Sequence, residues 1–291
     1  MSSDIMPMTE PRSRRQRSQG SGATDAALLF DEPGPRGRIL IAIGSVVAVI
    51  GIAALAAAVL YRLDLAGQLD YPKWRYFLGQ SVVSQLLEAA GTTLTLGGVA
   101  AVLTFPLGIA LGWLRLLDNR PIKWLVGLWI DAMRAVPMLL LVYFFLLVVP
   151  RFATISDFWK LALPIVMCTS ATTAEVFRSG VRALDRGQTE AAWALGMSPS
   201  LTMRLILAPQ ALRLMLPTLI TQMVTIIKGT TLAYVLAYPE LMYRGSTMIG
   251  QAKIDAHLSV FFQTYVIIAV LYIIVNWSLG ALARYIESRT R

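Results

Sequence analysis

Residues 39 to 61 read ILIAIGSVVAVIGIAALAAAVLY, 23 residues from Ile39 to Tyr61 without a single charge. At the rise of an α-helix such a run covers about 34 Å, enough to cross a hydrocarbon core of about 30 Å. It predicts a transmembrane helix. A cleaved signal peptide would carry a shorter apolar core close to the amino terminus. The Arg14-Arg15 pair does not act as a twin-arginine signal, because it is followed by Gln16 and Arg17 and precedes the run by more than twenty residues.

The rest of the chain agrees in character. Hydrophobic residues make up 56% of the 291 positions and charged residues 15%, against about 45–50% and about 25% in ordinary soluble domains. Five further apolar spans follow: Ala89–Leu114, Trp124–Val149, Leu161–Arg182, Pro209–Ala237 and Val260–Ala283. Pro106, Pro137, Pro164, Pro209 and Pro217 lie within or at the start of them, which membrane helices tolerate and strands do not. The expected fold is therefore all-α with six spans. A single cysteine, Cys168, and a single histidine, His257, leave no internal disulfide and no Cys/His metal site, which argues against a thiol or metal enzyme.

Charge fixes the expected orientation. Of the 26 Lys and Arg residues, 17 flank one side of the spans and 7 the other, while Arg134 and Lys228 fall inside. The richer side is the cytosol by the positive-inside rule, so both termini are expected there. The net charge of +9 then belongs to an anionic membrane face and not to nucleic acid.

This divides the chain into a disordered cytosolic tail at 1–38, an extra transmembrane helix at 39–61, an extracytoplasmic interface segment at 62–85 and a transmembrane domain at 86–287. The tail contains Ser, Gly and Arg without apolar periodicity, and its arginines set topology or touch membrane lipid. In the interface segment Tyr71, Trp74, Tyr76 and Phe77 are interleaved with Lys73, Arg75 and Gln80, a composition suited to the membrane boundary.

The loop between the fourth and fifth spans, 185–209, is the richest in local signals. Asp185 followed by Gln188 marks a helix start, Gly196 stands where a left-handed cap would end that helix, and Ser198-Pro199 opens the next one. Two helices at an angle are predicted, the first with a narrow side of Ala191, Ala192 and Leu195 that another surface can approach. Trp193 is either a contact for that surface or a packing residue.

The same loop resembles the cytoplasmic signature of permease subunits of bacterial ABC importers. Glu190-Ala191-Ala192, Gly196, Ile206 and Pro209 stand at the matching spacing, with Ala208 in place of the usual Leu. Between Leu86 and Glu287 the resemblance narrows to the polar amino-acid branch: Ala174-Glu175 to Gly180, Pro209-Gln210-Ala211-Leu212-Arg213, Lys228-Gly229-Thr230-Thr231-Leu232 and Pro239-Glu240-Leu241 are similar to its motifs. Asp31 to Gly37 before an extra first helix is similar to actinobacterial glutamate-importer permeases. The resemblance implies a five-helix core to which 39–61 is added, and no covalent chemistry. It assigns Glu190, Ala191, Ala192, Gly196, Ile206 and Pro209 to coupling with an ABC ATPase dimer. It also implies an extracellular substrate-binding protein and a second homologous permease forming a heterodimer. Glutamate or aspartate is the expected cargo, and ATP and magnesium are expected on the ATPase. No Lys follows a Gly, so the Gly-Lys-Ser/Thr phosphate loop is missing and the ATPase must be a separate chain.

Ionisable residues inside spans are costly and are normally paired or face a cavity. Asp131 and Arg134, like Glu175 and Arg178, stand three apart on one helix face and are expected to pair. Lys228 has no acidic residue within four positions. It faces either an acidic substrate or a partner on another helix, and with Glu175 and Arg134 it outlines a possible substrate path. Gly97, Gly98, Gly108 and Gly112 are read as close-packing positions, and His257 as a solvated or interface residue. An ion-coupled secondary amino-acid carrier using Glu175, Lys228 or His257 is the rival reading. A membrane enzyme is disfavoured because no nucleophile, base and orienter stand out among so few titratable groups.

Overall fold

The structure is a computed structural model describing residues 34–290; most of the expected tail and the Arg14-Arg15 pair lie outside the described residues. The chain divides into two compact units, one up to Ala66 and one from Gly67. Helix α1, Pro35–Leu65, is the described part of the first, and opens with Pro at its first position, where the missing N–H costs nothing.

In the second unit, α2 (Tyr71–Arg75) leads into α3 (Gln80–Leu114). Next come α4 (Arg120–Ala135), α5 (Met138–Leu147) and α6 (Asp157–Arg182). The loop helices α7 (Arg186–Ala194) and α8 (Pro199–Thr202) precede α9 (Ala208–Gly229), α10 (Leu241–Asp255) and α11 (Phe261–Thr290). No strand occurs among the described residues.

Helix α6 is the centre. It packs against α3, α4, α5 and α9, and Ile165, Ala171, Ala174 and Phe177 are buried. Close approach to α3 depends on two glycines. A Cβ on Gly108 would lie 2.6 Å from the Thr173 Cβ, and one on Gly112 would lie 2.6 Å from the Ala174 carbonyl oxygen. Thr104 and Thr169 share a hydrogen bond of 2.8 Å across the same interface. A Cβ on Gly97 would likewise meet the Ile227 side chain, whereas one on Gly98 would meet nothing within 4 Å among the described residues.

One expectation about the spans is corrected, the unbroken helix over 124–149, and the length-and-hydropathy test is met by fewer helices than the six runs read from the sequence. Among the described residues four helices are long and apolar enough to cross a membrane, or five if one bent pair counts as a span. The expected fourth span is present as α6 but does not pass that test. Ser170, Thr172, Thr173, Glu175 and Arg178 dilute its hydropathy, which a helix enclosed by its neighbours can accommodate. The expected single helix Trp124–Val149 is broken into α4 and α5, bent by 96°. Pro137 causes the break, since a residue before proline is pushed from the helical region. Val136 accordingly sits at φ −76°, ψ 128°.

Candidate functional site

The loop after α6 is built from local signals. The Asp185 Oδ1 accepts a hydrogen bond of 2.7 Å from the Gly187 N–H and caps α7. The Gln188 Oε1 accepts from the Gln210 Nε2 at 3.1 Å, tying α7 to the start of α9. At the other end Gly196 adopts φ +75°. The Met197 N–H donates to the Ala192 carbonyl at 3.0 Å and the Gly196 N–H to that of Trp193 at 2.9 Å, the paired bonds of a Schellman cap. The Ser198 Oγ accepts from the Leu201 N–H at 3.4 Å and opens α8. Met203–Leu207 is then a π-helical turn. Pro209 has no N–H to donate back to Leu205, and the widened turn absorbs that loss. Of the two residues the family resemblance singles out here, Ile206 lies within this irregular turn and Pro209 just after it.

The loop's side chains are not arranged as expected throughout. Ala192 is 1% exposed, so its side chain adds little to the outward surface of this chain. Trp193 and Leu195 are 57% and 80% exposed, and Glu190 and Ala191 are also exposed. The outward face is therefore formed by Glu190, Ala191, Trp193 and Leu195.

Directly before the loop, α6 carries a clamp of charges. The Arg178 guanidinium reaches the Glu175 carboxylate at 2.6 Å, as the spacing predicted. Asp131, expected to pair with Arg134, instead holds Arg115 from the end of α3 in two hydrogen bonds of 3.2 and 3.1 Å. A second nitrogen contact of Arg115 goes to the Glu175 Oε1. Arg115 thereby joins α3, α4 and α6. Arg115 meets Asp131 with both terminal nitrogens, the planar fork of a guanidinium matching that of a carboxylate. Arg134 is exposed and lines a cavity of about 480 Å³ with Thr172, Glu175, Ser179, Leu214 and Thr218. So Glu175 and Arg134 share a cavity. Lys228, at the end of α9, is exposed and does not line it.

The Pro239-Glu240-Leu241 motif contains a further structural residue. Glu240 is fully buried, and its carboxylate accepts from the Met242 N–H at 3.0 Å, the Tyr243 N–H at 2.8 Å and the Tyr272 hydroxyl at 2.7 Å. It caps α10 and ties it to α11. Burial pushes its carboxyl above the ordinary carboxylate range, with the three donors pulling the other way. Glutamate is not among the residues usually found at an N-cap, so no local sequence signal disclosed this role. His257 lies in the exposed turn before α11, at φ +51°.

The family described as binding-protein-dependent transport system inner membrane component matches residues 104–291. The glutamate transport system permease protein GluD of Corynebacterium glutamicum is 34% identical over 230 residues, covering 77% of this chain and 82% of its own. The probable glutamine ABC transporter permease protein GlnP of Bacillus subtilis is 33% identical over 198 residues, covering 68% and 89%. In fold, the chain is similar to a solved structure described as an amino acid ABC transporter with histidines. The TM-score is 0.64 and the identity 24%, over 72% of this chain and 95% of that one.

Proposed function

Because the chain belongs to the family of binding-protein-dependent transport system inner membrane components, we propose that it is the permease of an ATP-driven importer of polar amino acids, with glutamate and aspartate as its cargo. It is a multi-pass protein of the bacterial cytoplasmic membrane. In this reading the chain crosses six times with both termini in the cytosol. An ABC ATPase dimer holding ATP and magnesium docks on α7, a second homologous permease completes the pathway as a heterodimer, and an extracellular binding protein delivers the substrate.

The observation that carries the proposal is the capped loop at the end of a charge-clamped α6. A helix fixed at both ends and joined rigidly to the central helix can transmit a displacement into the membrane as a lever. Arg115 spreads the displacement to α3 and α4. ATP binding would draw two such loops together and turn an inward-facing cavity outward. The names of the relatives, glutamate for one and glutamine for the other, support a substrate with a short polar side chain. The exposed ammonium of Lys228 and guanidinium of Arg134 favour a carboxylate.

Purification through a tag on the carboxyl end, with identification of accompanying chains, tests the assembly. A second permease and an ATPase are expected. Glutamate uptake should persist when an uncoupler collapses the ion gradients at constant ATP. Uptake by this chain alone that stops with the uncoupler would establish the ion-coupled carrier instead.

A further inference from the structure

Where α3 ends, α4 begins and α6 ends, a cavity of about 380 Å³ is lined by Arg115, Lys123, Trp124, Asp131, Arg178 and Arg182, among others. Four cations face one carboxylate in its wall. Arg115 and Arg178 are already engaged by Asp131 and Glu175. Lys123 and Arg182 have no ion pair among the described residues, so the cavity carries surplus positive charge. Leu128 also lines a second space, an apolar groove of about 720 Å³ between α3 and α4 with Leu107, Leu111, Leu125, Trp129 and Met133. The cationic cavity and the apolar groove thus adjoin at Leu128, and exposed Trp124 stands in the wall of the cationic one.

We propose that this composite site holds an anionic glycerophospholipid, its phosphate headgroup between Lys123 and Arg182 and an acyl chain in the groove. The inference rests on the reading of this end of the helices as cytosolic. The charge argument selects the occupant. A soluble phosphate would leave the groove empty, and a zwitterionic lipid would leave the cations uncompensated. An anionic lipid satisfies both halves, and anionic headgroups enrich the cytoplasmic leaflet. Trp124 suits the boundary between headgroup and chain, where an amphipathic ring prefers to sit. A lipid here would touch both α4 and the charge clamp, linking membrane composition to the element that moves α6.

The test is lipid retention by the full chain, purified with its accompanying subunits from nanodiscs of phosphatidylglycerol or phosphatidylcholine and read by native mass spectrometry. Phosphatidylglycerol should be retained and phosphatidylcholine lost. A Lys123→Gln, Arg182→Gln double variant, which leaves the three ion pairs of the clamp in place, should retain phosphatidylglycerol about 30-fold less well. Leu128→Trp, which fills the groove, should also abolish retention. Glycerol phosphate should not displace the lipid.

Equal retention of both lipids, or undiminished retention by the double variant, would overturn the site. So would displacement by glycerol phosphate, or loss of the lipid wherever a second permease is bound, since that would make the groove a subunit interface. Labelling of a Lys123→Cys variant by an impermeant maleimide separates the two readings. Labelling from outside would overturn the topology, whereas labelling only from inside together with undiminished retention by the double variant would overturn only the lipid site.

Discussion

At the scale of single residues, the two carboxylates held by Arg115 differ in how much each matters. The Glu175 side chain is 15% exposed and that of Asp131 58%. Removing the charge of Glu175 would leave Arg115 and Arg178 sharing a poorly solvated space, a cost of about 2–3 kcal/mol. Removing that of Asp131 loses a solvated pair, less than about 1 kcal/mol. Glu175→Gln should therefore lower the unfolding temperature in detergent clearly and Asp131→Asn only slightly; the reverse ranking would show that Arg115 is anchored mainly by α4. Lys228 makes a different prediction. If its ammonium meets the carboxylate of the cargo, Lys228→Met should weaken glutamate uptake at least tenfold while binding-protein-stimulated ATP turnover is nearly kept. Equal loss of both would mark Lys228 as structural. The Arg115 links were not legible in the sequence. They join residues 16 and 60 positions apart, and nothing local says which of two nearby cations a carboxylate will choose. The Glu175 to Arg178 pair was legible because its geometry is that of one helix.

At the scale of elements, what the sequence disclosed and what it hid follow the same division. Asp185, Gly196 and Ser198 act through backbone groups within a few residues, so each cap could be placed from spacing alone. The break between α4 and α5 was masked by hydropathy: the apolar run is continuous across Pro137, and an average over it does not register one missing N–H. Burial of Ala192 was hidden as well, since it depends on how α7 folds back on α8. Gly196 allows conformational strain to be separated from crowding. A Cβ there would meet nothing within 4 Å, yet φ of +75° disfavours a β-branched residue by about 1–2 kcal/mol and tolerates Asn far better. Gly196→Val should cut transport several-fold with normal membrane insertion, and Gly196→Asn should keep most of it. Equal loss in both would point to a contact at Gly196 itself and not to the cap.

At the scale of the whole molecule, coupling requires one segment to carry force between a soluble motor and the membrane helices. Of the two loops expected in the cytosol between spans, the one at 115–123 enters α4 at Arg120, leaving only 115–119 between the helices, and Arg115 is engaged in the clamp. The loop 185–209 presents α7, capped at both ends, with Trp193 and Leu195 standing outward. Large exposed apolar side chains on a rigid, otherwise polar helix are the usual anchors of a protein contact. Crosslinking distinguishes the two loops. With Cys168, buried in α6, first replaced by alanine, a cysteine at Trp193 or Leu195 should crosslink efficiently to one in the ATPase surface groove. A cysteine at Ala192, buried in this chain, should react at least tenfold less, and one at Asn119, exposed but in the other loop, should also react poorly. Ala192 then controls for proximity without access, and Asn119 for access without docking. Strong crosslinking from Asn119 with none from Trp193 or Leu195 would move the motor contact to the α3 to α4 turn. The charge clamp, and not the capped helix, would then be where ATP binding enters the membrane domain.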